Sequence, residues 1–95
     1  MMIKVVAKSV IKKEKIDKYK KMVEELIEKT RNEDKNIKYE LYQDVDNPQV
    51  ITFIEEWEDH DGLEEHMNSE HFEKIIPQLN ELRETSEVNV YKKVK

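Results

Sequence analysis

Ile37-Lys38-Tyr39-Glu40-Leu41-Tyr42-Gln43-Asp44, Val45-Asp46-Asn47-Pro48-Gln49 and Val50-Ile51-Thr52-Phe53-Ile54-Glu55-Glu56-Trp57-Glu58 form the continuous stretch on which the fold turns. The two outer segments are rich in β-branched and aromatic residues, which marks them as strands. Asp46-Asn47-Pro48-Gln49 supplies turn chemistry between them, so the strands close into a hairpin. Pairing across that turn sets Tyr42 near Thr52 and Ile37 near Trp57. One face then collects Ile37, Tyr39, Leu41, Ile51, Phe53, Glu55 and Trp57.

On the N-terminal side of the hairpin, Ile3 to Ile11 is apolar on both alternating phases, with Ile3, Val5 and Ala7 on one and Val6 and Val10 on the other. That pattern suits a central strand. From Lys15 the period changes. Ile16, Tyr19, Val23, Leu26, Ile27 and Thr30 follow helical spacing, with Lys and Glu between them, and predict an amphipathic helix to about Arg31. On the C-terminal side, Asp59 can cap a short helix through about Met67. Leu63 and Met67 form its inward side, and His66 lies at the border of that stripe. Asn68-Ser69 breaks this helix, and Ser69 can cap the next, which turns Phe72, Ile75, Ile76, Leu79 and Leu82 inward. Pro77 lacks a backbone donor and predicts a kink or a division there. Ser86 to Val94 reads as a last strand, with Val88, Val90 and Val94 on one phase. The order is β-α-β-β-α-β with the second helical segment broken. This is the α+β, ferredoxin-like arrangement, in one domain over residues 1–95.

Composition excludes several functions. With no cysteine, the chain has no disulfide, iron–sulfur cluster or thiolate nucleophile. Gly62 is the only glycine, so neither a Rossmann loop nor a P-loop can be built. The net charge of −5 argues against a nucleic-acid backbone as partner. The first residues do not read as a signal peptide, and no apolar run approaches a membrane span, so the cytoplasm is the default location.

Tyr39-Glu40-Leu41-Tyr42-Gln43-Asp44, the turn with Pro48, Phe53-Ile54-Glu55-Glu56-Trp57-Glu58, Leu63, His66 and Ser69-Glu70-His71-Phe72 together resemble the antibiotic biosynthesis monooxygenase domain, quinol monooxygenases included. The resemblance runs from Ile3 to Val94. It implies a homodimer whose two sheets pack face to face into a dimeric α/β barrel, and a pocket between each sheet and its helices. Many members oxidise aromatic or quinol-like substrates with O₂ and without flavin, haem or metal. Haem-degrading relatives carry an iron-ligating histidine where this chain matches Ile76, and an asparagine near Ala7. The resemblance therefore implies no haem here.

His66 is the candidate catalytic base, because an imidazole titrates near neutrality and can take a phenolic or carbon-bound proton. A position at the mouth or wall of the pocket would make its replacement cost less than about 1 kcal/mol of stability; the structural alternative is a histidine at the helix edge with a solvent-facing tip. Trp57, Tyr39, Phe53, Phe72 and Ile76 are the candidate substrate walls. The histidines His60, His66 and His71 are not expected to share a metal, because the break at Asn68-Ser69 separates two of them. The function expected is a cofactor-independent monooxygenase acting on a small phenol or quinol with O₂. A binding module without turnover and an isomerase using His66 are the alternatives.

Overall fold

A computed structural model describes residues 1–95. Its elements run β1 (Ile3–Ile11), a 3₁₀ turn (Lys13–Lys15), α1 (Ile16–Arg31), β2 (Asn36–Gln43), β3 (Val50–Trp57), α2 (His60–Met67), α3 (Glu70–Asn80) and β4 (Arg83–Lys92). The strands form one antiparallel sheet in the order β2-β3-β1-β4. This is the ferredoxin-like order, with β1 and β3 central and β4 at an edge. No helix is long and apolar enough to cross a membrane.

The helices lie on the face of the sheet that carries Ile3, Val5, Ser9, Ile11, Tyr39, Ile51, Phe53, Glu55 and Trp57, all buried. α1 answers with Tyr19, Val23, Leu26 and Thr30, as its spacing requires. α3 adds Ile75 and Leu79, and Leu82 follows it into the core. Burial of these side chains, at roughly 1.5–3 kcal/mol for each large apolar one, is the main force holding helices to sheet. Gly62 serves close packing: a Cβ there would sit 2.7 Å from the Lys35 Cβ.

Four local expectations change. Ile37 is not opposite Trp57. The β2–β3 register slips between Asn36 and Lys38, so Asn36 takes that place and Ile37 is 50% exposed. Pro77 does not divide its helix, since α3 runs unbroken from Glu70 to Asn80. The missing Pro77 donor falls on an exposed side, where water can serve the Glu73 carbonyl. The helical segment is broken earlier, at Asn68-Ser69, as the sequence reading also held. β4 starts at Arg83 and ends at Lys92, leaving Val94 outside it. Met67 is 45% exposed, and Gly62, Leu63 and His66 form the buried side of α2 instead.

Candidate functional site

The break between α2 and α3 creates the site. The Asn68 N–H closes α2 on the Glu64 and Glu65 carbonyls. The Ser69 hydroxyl donates to the His66 carbonyl (2.6 Å) and accepts from the Phe72 N–H (3.3 Å), so one side chain ends the first helix and caps the second. The chain thereby changes direction within two residues and brings His71 back beside His66, with ring centroids 6.0 Å apart. Glu33, from the loop after α1, meets both. Its Oε2 lies 2.7 Å from His66 Nδ1 and 2.7 Å from His71 Nε2.

A carboxylate offers only lone pairs, so each ring nitrogen facing it carries a proton. When neutral, His66 therefore holds its proton on Nδ1 and leaves Nε2 as a bare acceptor. Nε2 has no protein partner, and it is not among the unpaired atoms that are sealed from free space. The ring itself is packed, 4.7 Å from Trp57, 5.0 Å from Phe72 and 5.4 Å from Tyr39 between centroids. Burial holds its pKa below the ordinary histidine value, against the hydrogen bond and charge of Glu33. The neutral form, the one able to accept a proton, is favoured.

Glu33, His66 and His71 also present three ligand atoms within 4.8 Å of one another. The expectation that the helix break keeps the histidines apart is thus reversed: the break is what brings them together. An ion taking these atoms would move the His66 proton to Nε2 and remove the acceptor. Metal binding and base chemistry are therefore competing uses of His66.

Beside His66 lies a cavity of about 280 Å³ between sheet and helices. Val5, Ala7, Tyr39 and Phe53 form the sheet side, and Leu63, Met67, Phe72, Ile76 and Leu79 form the helix side. An engineered apolar cavity of about 150 Å³ holds benzene. The space here is large enough for a small organic molecule.

Glu55 is the second titratable group on the wall. It is 5% exposed, and its Oε1 accepts from Trp57 Nε1 at 2.9 Å. Burial pushes its pKa up to about 7, with a smaller push from the Glu33 charge and an opposing pull from the Trp57 hydrogen bond. A raised carboxyl pKa means that the folded state holds the proton more tightly. Its stabilising contribution is then complete below about pH 4.5 and is lost as pH rises through 7. At about 1.4 kcal/mol per pH unit, the loss is about 3 kcal/mol. Glu55→Gln keeps an acceptor for Trp57 and removes the titration. Urea unfolding at pH 5 and pH 8 should show the wild-type protein weakening relative to the variant by most of that amount. An unchanged difference between the two proteins would mean that Glu55 is already charged at pH 5.

The structure brings Tyr39, Phe53, His66, Phe72 and Ile76 together on the cavity wall. Trp57, offered as a wall, is fully buried behind it, against His66 and Glu55. His66 has no solvent-facing tip, being 2% exposed, so its replacement costs more than the sequence reading allowed. That reading missed Glu33, His71, Glu55 and Arg83 as parts of the site. Only Glu55 carried a signal: it is the one acid in the alternating inward row Ile51, Phe53, Glu55, Trp57.

Comparison with known proteins agrees with this geometry. The family model described as antibiotic biosynthesis monooxygenase matches residues 2–78. A crystal structure of a conserved protein from Methanosarcina mazei Go1 superposes with a TM-score of 0.96 at 39% identity, covering 98% of this chain and 93% of that one. A crystal structure of an antibiotic biosynthesis monooxygenase gives a TM-score of 0.93 at 36% identity, with 98% and 99% covered. The candidate monooxygenase YcnE of Bacillus subtilis (strain 168) is 26% identical over 72 residues, 76% of each chain. The fold and the site thus define an α+β domain with an apolar cavity between its sheet and helices. The chain belongs to the antibiotic biosynthesis monooxygenase family.

Proposed function

We propose that the protein is a cofactor-independent monooxygenase that oxidises a small phenol or quinol with O₂ in the cavity beside His66. One observation carries this reading. A buried imidazole is anchored through Nδ1 on Glu33, its Nε2 has no protein partner, and His66 lines an apolar cavity together with Glu55.

The chemistry needs two proton-handling groups, and the cavity has two. His66 Nε2 takes the phenolic proton. The anion gives one electron to O₂, and the resulting radical and superoxide join through a new C–O bond as a peroxide. Glu55, as carboxylate, then removes the hydrogen on the peroxide-bearing carbon. That electron pair forms the new carbonyl and the O–O bond breaks; the outer peroxide oxygen takes the proton held by His66 to leave as hydroxide, and the hydroxide takes the proton from Glu55 to leave as water. The sum is phenol plus O₂ giving quinone plus water, or quinol plus O₂ giving hydroxyquinone plus water. The apolar walls favour the step that spreads charge over the ring and exclude water from the peroxide. Tyr39 is a poor base, because burial, and then the Glu55 charge, hold its pKa well above the ordinary phenol value.

His66 and Glu55 on one cavity would also serve proton transfer alone, as in an isomerase. Oxygen uptake separates the readings. With a panel of phenols and quinols, an oxygen electrode should record about one O₂ consumed per substrate lost; conversion without uptake would favour the isomerase.

The same proposal includes a homodimer. The sheet face away from the helices carries Val6, Val10, Val50, Ile54, Tyr42 and Tyr91, none of them covered by a helix. Lys4 and Lys38 flank Glu56 on that face, at 3.7 and 4.0 Å. A second copy would cover this apolar surface, which small monomers rarely leave wet. Light scattering at micromolar concentration should give about twice the 11.5 kDa chain mass. A clean monomer would remove the dimer from this account.

A further inference from the structure

We infer that the end of the cavity at Arg83 is an anion-binding subsite, and that the molecule the cavity takes is a small aromatic acid bearing a carboxylate.

The subsite comes from a slip in the sheet. Along β4, Ser86, Val88 and Val90 pair with Ser9, Ala7 and Val5 and so face the helices. Regular alternation would place Glu84 next on that face. The β1–β4 register shifts between Val10 and Ile11, and Ile11 pairs with Arg83 instead. Ile11 is fully buried on the helix side, so the residue opposite it points the same way. One extra residue on the strand thus replaces an acid with a cation at the end of the cavity. Bulges are used in this way to re-aim side chains beside binding sites.

Neutral partners then hold the guanidinium in place. Arg83 Nη1 donates to Ser9 Oγ at 2.8 Å, and Nε donates to Asn80 Oδ1 at 2.9 Å, with Nη2 on the same oxygen. Ser9 is 2% exposed, so this anchor lies inside the fold. No carboxylate lies within ion-pair distance of Arg83, although the chain carries 22 acids against 17 Lys and Arg. The side chain is fixed while its charge stays uncompensated. Of its five N–H groups, the Ser9 and Asn80 contacts use three and leave two. Asn80, Arg83 and Ser86 all line the cavity. A planar fork with spare donors is the group that best matches a carboxylate.

The subsite lies across the cavity from the proton-handling groups. Glu55 is on β3 and Ser86 on β4, with β1 between them. Glu55 pairs with Val5 and Ser86 with Ser9, so the two ends are also offset by four residues along β1. At about 4.8 Å per strand and about 3.3 Å per residue their backbones lie roughly 16 Å apart, a span that the side chains reaching into the cavity from both ends shorten. A ring system held between these ends would present its phenolic oxygen to His66 and its carboxylate to Arg83.

This inference rests on reading the cavity as the substrate site, but not on the oxidation. Calorimetric titration with 4-hydroxybenzoate and 6-hydroxy-2-naphthoate, each beside its methyl ester, tests it without turnover. The wild-type protein should bind at least one acid about tenfold or more tightly than its ester. Arg83→Gln should bring that ratio near one, and Arg83→Lys, which keeps the charge, should retain part of it. Thermal melting of both variants checks that they fold, and the Lys variant alone decides if the Gln variant does not. Equal binding of acid and ester by the wild-type protein, an acid preference that survives Arg83→Gln, or no saturable binding of either acid would each overturn the inference. An acid preference without any oxygen uptake would leave the subsite standing and remove the monooxygenase reading.

Discussion

His66→Ala should lower turnover by about 100-fold or more on any phenol or quinol that supports oxygen uptake, the usual loss for a general base. The same change should also destabilise the protein by about 2–3 kcal/mol, because it empties a packed site and leaves Glu33 short of a donor. The ring contacts Trp57, Tyr39 and Phe72 and is 2% exposed. His66→Gln separates the two effects. Glutamine is close in volume and can still donate to Glu33, but it has no titratable nitrogen to offer the cavity. Its turnover should fall as far as that of the alanine variant while its unfolding midpoint in urea falls less. Full turnover in His66→Gln would place the base elsewhere, and Glu55 would be next to test.

Trp57→Ala should be the most destabilising single change, at about 3–5 kcal/mol. Trp57 is fully buried and packs on both His66 and Tyr39, with ring centroids 4.7 and 6.5 Å away. It also supplies the hydrogen bond to the buried Glu55 carboxyl. Trp57→Phe keeps most of the ring and removes that donor. It should cost less stability than Trp57→Ala and raise the Glu55 pKa further, moving the pH-dependent loss of stability upward. Urea unfolding of both variants across pH 5 to 8 checks this. A Trp57→Ala protein within about 1 kcal/mol of wild type would show that the tryptophan is not central to the core.

Much of the fold was legible because periodicity reports burial. The alternation in β3 and the helical spacing in α1 both predict the faces that the structure buries. The caps at Asp59 and Ser69 were legible because each is a local event, one side chain accepting from a backbone N–H three residues on. The failures share a cause. Ile37 and Arg83 take their places through slips in strand register, and no local pattern announces a slip. His66, read as the border of the buried stripe, is drawn fully inside, where Glu33, far off in sequence, binds it. A buried polar contact can outweigh the preference for an apolar side chain inside when each partner satisfies the other.

The candidate site was legible in proportion to its apolar content. Tyr39, Phe53, Phe72 and Ile76 sit on inward phases of their elements and reach the cavity together. Trp57 shares that phase, yet the Glu55 carboxyl holds its ring edge and the His66 ring lies against it. The polar set of Glu33, His66, His71 and Glu55 draws on β3, α2, α3 and the loop after α1. Only the folded chain brings those groups together.

Oxygen consumption by metal-chelated, flavin-free protein tests the central claim most directly, with wild type and His66→Gln run in parallel on the same phenol and quinol panel. The account predicts catalytic uptake by the wild-type protein, about one O₂ per substrate, and a loss of about 100-fold in His66→Gln. Saturable binding of panel members with no oxygen uptake by the wild-type protein would contradict it.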